Sequence, residues 1–122
     1  MNNISFQMQS KRLLGVVVGS HDTEAHKKSF DEGEIVAKMI EDFGKFDTCL
    51  VEIGKGPWLL HWEGDKASID KDKFTAVVKK KRVKPEVVLL LTKGKLGENG
   101  ELQAYFDKMG IPFTFSGLEE TR

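Results

Sequence analysis

The sequence predicts an α/β fold: a three-layer, Rossmann-like domain with a mostly parallel sheet and an inserted β-hairpin. Three observations predict it. Two short apolar runs without alternation, 13–18 and 87–91, have the pattern of strands buried on both faces, as in parallel sheets. A stretch of helical period, 29–43, joins the first run to a further strand pattern. The 122 residues, 39% hydrophobic and 31% charged, have the size of one globular domain. A chain of that size buries roughly two thirds of its unfolded surface, enough for a core without disulfides or a structural metal.

Residues 1–10 form an uncharged, polar N-terminal tail ahead of a single domain, 11–117. Leu13 to Val18, ended by Gly19-Ser20, is the first strand. Across 29–43, Phe30, Gly33, Ala37 and Ile40 recur at helical spacing with charges on the other face, and Gly44 stands where a helix C-cap glycine belongs. Residues 46–53 are the second strand, which completes a βαβ unit with a right-handed crossover. Residues 58–62 predict a strand running into a turn at Glu63-Gly64-Asp65-Lys66. For 70–81 two readings stand: a helix capped by Asp70, or a hairpin arm at 74–78 with its turn in 79–82. The strand-forming residues of 74–78 favour the hairpin. Residues 87–91 are the third buried strand, and 93–100 a glycine-spaced loop. Leu102, Tyr105, Phe106 and Met109 make a helical stripe that Gly110 and Pro112 stop, and 113–117 is a short fourth strand.

Composition narrows the function classes. Nineteen basic and nineteen acidic residues leave no net field to attract nucleic acid or an anionic membrane. No apolar run approaches the roughly 18 residues of a membrane span, and the start of the chain lacks the basic and apolar regions of a secretion signal. The single cysteine, Cys49, forms no internal disulfide, so a cytoplasmic, reducing setting is expected, with Cys49 a buried small hydrophobe.

Ligands of open parallel sheets bind beyond the carboxyl ends of the strands, so the loops there carry the candidate residues. The loop 19–26 holds His21, Asp22, Glu24 and His26, but the histidines are five apart and no HExxH pattern is present. A solvated loop whose Asp22 or Thr23 caps the helix is preferred over a metal site. The loop 92–100 lacks the G-K-S/T ending of a phosphate loop, its Gly94-Lys95 being followed by Leu96. It is either a glycine turn with Asn99 capping the next helix or a substrate-lining loop. Trp58, His61 and Trp62 are expected to close the rim of the core, and the basic run 79–84 to be a solvated turn. No Ser-His-Asp arrangement in a strand-elbow context supports a hydrolase.

The last third of the chain carries a more specific pattern. After the strand 87–91 come Gly94, then Gly97-Glu98-Asn99-Gly100 with Leu102-Gln103, then Met109-Gly110-Ile111-Pro112-Phe113-Thr114 and Ser116-Gly117. In order and spacing this resembles the end of the N-terminal domain of D-alanine–D-alanine ligases, which reads a strand, H-G-x-x-G-E-D/N-G-x-x-Q, a short helix, and L/M-G-I-P-Y/F-T-x-S-G. The first-strand loop, the Val51-Glu52-Ile53 strand and Ile69-Asp70-Lys71 with Phe74 are compatible with the same family, so the resemblance spans roughly residues 11–117.

The resemblance implies a domain rather than a complete enzyme. ATP and Mg2+ would be bound by ATP-grasp domains following residues 118–122, the start of a linker, with no cofactor held by this chain and no catalytic residue in it. It further implies a wall of the first D-alanine's pocket, with Glu24 meeting the ammonium and Glu98 and Asn99 lining the cleft. Lys93 stands where the family has a histidine, a fixed cation in a substrate-binding position. A homodimer is also implied, with the first helix and the hairpin as candidate surfaces, and neither nucleic acid nor membrane as partner. The changed loops leave an alternative: a freestanding, non-catalytic binding or scaffold module on that fold.

Overall fold

The computed structural model describes residues 11–54, 56–94 and 100–115. Its elements are β1 (Arg12–Val18), α1 (Thr23–Phe43), β2 (Phe46–Glu52), β3 (Leu59–Trp62), β4 (Asp65–Ser68), β5 (Ala76–Val78), β6 (Lys81–Val83), β7 (Val87–Leu90), α2 (Glu101–Met109) and β8 (Phe113–Phe115). Six strands form one sheet in the order β4-β3-β2-β1-β7-β8. The four strands β2, β1, β7 and β8 are mutually parallel, and β3 and β4 extend the sheet antiparallel beyond β2.

The alternation of side chains along β1 splits the core in two. Leu14, Val16 and Val18 face α1 and pack with Ala37, Leu50 and Leu91. Val17 faces the opposite side with Cys49, Val51, Leu60, Phe74, Val88 and Phe106. That second side is covered by a mixed layer of the β5–β6 hairpin and α2, joined by edge-to-face rings: Phe74 on Phe106 at 5.1 Å and Trp58 on Tyr105 at 5.1 Å. The expected three layers are therefore present. Gly33 explains how closely α1 lies on the sheet: a Cβ there would sit 2.3 Å from Val18 Cγ1. Among the described residues no helix is long and apolar enough to cross a membrane.

Several boundaries differ from expectation. The first helix begins at Thr23 instead of 29, because Asp22 caps it by accepting the Ala25 N–H at 2.9 Å and carries the polar first turns into helix. Asp65 and Lys66, expected in a turn, belong to the edge strand β4, and the turn is Glu63-Gly64 alone. Of the two readings for 70–81 the structure has the hairpin, with a tighter turn: Lys79-Lys80 connect β5 to β6, while Lys81 and Arg82 pair within the ladder. Both turn lysines have positive φ, 53° and 68°, which a two-residue type I′ connection demands and which Asn-Gly ordinarily supplies. Asp70 initiates a turn, accepting the Asp72 N–H on its side chain and the Phe74 N–H on its carbonyl, instead of capping a helix. β2 and β7 each end one residue early, and 116–117 of the expected fourth strand lie outside the described residues.

Candidate functional site at the carboxyl edge of the sheet

From β1 the chain crosses through α1 to β2 on one side, while β7 lies on the other side of β1. The strand order therefore reverses at β1, and the crevice outside its carboxyl end is where open α/β sheets take ligands. Three short stretches meet there: Gly19-Ser20 after β1, Ile53-Gly54 after β2 and Thr92-Lys93-Gly94 after β7.

Backbone contacts hold these stretches in place. The Ile53 N–H donates to Val18 O at 2.9 Å, and the Lys93 N–H donates to Gly19 O at 2.9 Å. Gly19 has φ 134°, and a Cβ at that position would lie 1.7 Å from Ile53 O, so only glycine fits. Ser29, fully buried on α1, ties the helix to two strand ends at once: its hydroxyl accepts the Gly19 N–H at 2.9 Å and donates to Leu91 O at 2.9 Å. A buried N–H and a buried carbonyl are thereby satisfied by one side chain.

Beside this backbone frame sits a three-residue network. Glu52, the last residue of β2, accepts from His26 Nε2 at 2.7 Å on one carboxylate oxygen and from His61 Nε2 at 2.8 Å on the other. All three side chains are about a quarter exposed. Burial raises the Glu52 carboxyl, but the hydrogen bonds from His26 and His61, with the electrostatic attraction of the two rings, outweigh it and hold the group below the usual carboxylate range. His61 is seated by an edge-to-face contact with Phe30 of α1, ring centroids 5.2 Å apart. His26 Nδ1 lies 3.1 Å from Ser20 N and 3.2 Å from Ser20 O. With its Nε2 proton given to Glu52, a neutral His26 accepts the Ser20 N–H at Nδ1, which fixes its tautomer.

The residues expected in a binding role are distributed unevenly around this edge. Glu24 lies in the exposed first turn of α1, on an open hollow shared with Asp22, Ala25, Lys27, Lys28 and Asp31. Lys93 ends on the crevice by its backbone, but its ammonium turns to α1 and pairs with Glu32 at 2.8 Å. Glu98 and Asn99, and with them the Asn99 cap, lie outside the described residues. His21 is exposed and does not join His26, and among the described residues no three His, Cys, Asp or Glu side chains gather as metal ligands.

Trp58 and Trp62 do close the rim, each with a lysine over its ring: Lys71 at 4.7 Å and Lys81 at 6.0 Å from the centroids. Cys49 is buried and its thiol is pushed up to about 12 by desolvation, so it is inert as a nucleophile. The sequence reading missed Glu52. Its available signal was a single acid closing an otherwise apolar strand pattern, with His61 within reach of a neighbouring antiparallel strand.

No family model matches the chain. Over 105 residues it is 32% identical to a D-alanine–D-alanine ligase of Christiangramia forsetii, an alignment covering 85% of this chain and 32% of that protein. It is 28% identical over 109 residues to the D-alanine–D-alanine ligase of Bacteroides thetaiotaomicron, covering 88% of this chain and 33% of the other. Among solved structures, D-alanyl-alanine synthetase A of Vibrio cholerae superposes with a TM-score of 0.68 at 23% identity, over 84% of this chain and 30% of that one. The D-alanine–D-alanine ligase of Aeromonas hydrophila gives 0.67 at 20% identity, over 84% and 38%. The chain is thus a relative of D-alanine–D-alanine ligases that spans about a third of the length of the curated proteins it matches.

Proposed function

We propose that this chain is the N-terminal, substrate-side domain of an ATP-dependent D-alanine–D-alanine ligase, a cytoplasmic enzyme of peptidoglycan precursor synthesis, and that it supplies one wall of the first D-alanine's pocket. The observation that carries this reading is the meeting of the ligase-related sequence with the topological switch point, where the loops of β1 and β7 converge. Glu24 is the anion offered to an ammonium, and Glu98 and Asn99 line the same wall. Lys93 does not oppose that charge as a bare cation would, because Glu32 neutralises it. Its pairing also favours a second reading, a binding or scaffold module without catalysis, since the ammonium is committed within the fold.

ATP and Mg2+ do not fit the described residues. At the start of α1 the Ala25 N–H is taken by the Asp22 carboxylate, which repels phosphate, and among the described residues no three His, Cys, Asp or Glu side chains gather to hold a metal. Nucleotide, metal and catalytic residues are therefore assigned to other domains of a full-length ligase, and the isolated chain is expected to be inactive. A homodimer fits the exposed Ile35, Met39 and Phe43 on the outer side of α1.

Titration of the 15N-labelled chain with D-alanine tests the wall directly. Millimolar D-alanine should shift the amides of Ser20, Glu24, Lys93 and Gly94 more than L-alanine does, and Glu24→Gln should abolish the difference. Equal response to both enantiomers, or none, would reject the wall, and dipeptide formation from ATP by these 122 residues would reject the domain assignment.

A further inference from the structure

The carboxyl edge of β1 owes its shape to a backbone peptide held by a titratable ring. Ser20 follows Gly19, which must be glycine, and its N–H, in the Gly19–Ser20 peptide, and its carbonyl, in the Ser20–His21 peptide, both lie against a single atom, His26 Nδ1, at 3.1 Å from N and 3.2 Å from O. One atom cannot serve both at once. A neutral His26, its proton on Nε2 and given to Glu52, accepts the Ser20 N–H. An imidazolium carries a proton on Nδ1 as well, so it loses that bond and donates to Ser20 O instead.

We infer that His26 is the positioning residue of the candidate site: its protonation state selects which backbone group of Ser20 the ring holds, the N–H or the carbonyl, while Glu52 anchors the far side of the ring. The role rests on the reading of this edge as the ligand-binding edge, since Ser20 and Gly94 form its floor, Ser20 Oγ lying 3.5 Å from where a Gly94 Cβ would stand.

The charged surroundings are few among the described residues. β2 presents Glu52, and β3 presents His61 through the same carboxylate. Among the described residues after β2, Gly54 lies against the ring, its Cβ position 3.3 Å from His26 Cε1. On its own element His26 donates its backbone N–H to Asp22 O at 2.8 Å, and the Asp22 carboxylate is engaged as the helix cap. An extra proton on His26 therefore acts on the Ser20 backbone at Nδ1 and strengthens the existing contact with Glu52 at Nε2.

The test needs no ligand, so its failure is distinct from a failure to bind D-alanine. In the 15N-labelled chain, the Ser20 amide shift and the His26 ring resonances should titrate with one midpoint. Protection of the Ser20 amide, taken relative to its intrinsic exchange rate at each pH, should fall about fivefold on the acid side as its acceptor is lost. His26→Gln is the decisive variant: a carboxamide can accept the Ser20 N–H but does not titrate, so protection should persist with a flat pH profile. Glu52→Gln removes the anion and leaves one acceptor oxygen for the two histidines, so the Ser20 transition should move to lower pH. Thermal melting of each variant confirms that it folds. A Ser20 amide that does not follow His26 in the parent chain, or one that titrates unchanged in His26→Gln, overturns the proposal.

Discussion

The carboxyl edge of the sheet and the β5–β6 hairpin both gather charged and polar groups, but they hold them in opposite ways. At the edge each group is matched: Ser29 satisfies two backbone groups, Glu52 takes both histidines, and Lys93 is paired with Glu32. In the hairpin, five of the six residues 79–84 are basic, and none makes an ion pair among the described residues. Its turn is also built from two lysines in left-handed backbone, which costs of order 1 kcal/mol or more each. A region whose groups are mutually committed resists substitution, while one that carries strain and unpaired charge has stability to regain.

Gly19→Ala should make the largest difference. A Cβ 1.7 Å from Ile53 O forces the β1 and β2 ends apart, with an expected loss above about 4 kcal/mol in urea unfolding. A loss below about 1 kcal/mol would show the edge to be less rigid than its contacts indicate. The hairpin should respond with the opposite sign. Lys79→Asn with Lys80→Gly gives a type I′ turn its preferred residues and separates like charges, so stability should rise by about 1–2 kcal/mol and Tm with it. No gain would mean that the lysine pair carries little strain.

The smallest effect concerns acid. The Glu52 carboxyl is lower in the folded chain than in the unfolded one, so between those values the unfolded state binds more protons. Its contribution is present above the ordinary carboxylate range and is lost as pH falls through the folded value. Glu52→Gln should flatten the acid limb of stability against pH, whereas removing hairpin lysines should leave that limb in place.

What was legible beforehand follows the same division. β1 and β7 announced themselves because strands buried on both faces must be apolar throughout, and the stripe Leu102, Tyr105, Phe106 and Met109 did so for α2. β4 did not, because Asp65-Lys66-Ala67-Ser68 is a polar edge strand without a buried alternation. Nor did the first turns of α1, which are helical through capping alone, with no apolar face. The resemblance at the C-terminal end identified the relatives, yet the network that shapes the edge escaped. Glu52 and His26 are 26 residues apart, and only the β1–β2 register and the helix start bring them together.

Cys49 gives the molecule a built-in reporter. Its sulfur is sealed between β1, β3 and the hairpin layer, at 3% exposure, and stays protonated at any ordinary pH. A thiol reagent can reach it only when the central sheet opens. The alkylation rate of this one atom therefore measures how often the core itself comes apart, undisturbed by fraying at the loops where a ligand would arrive.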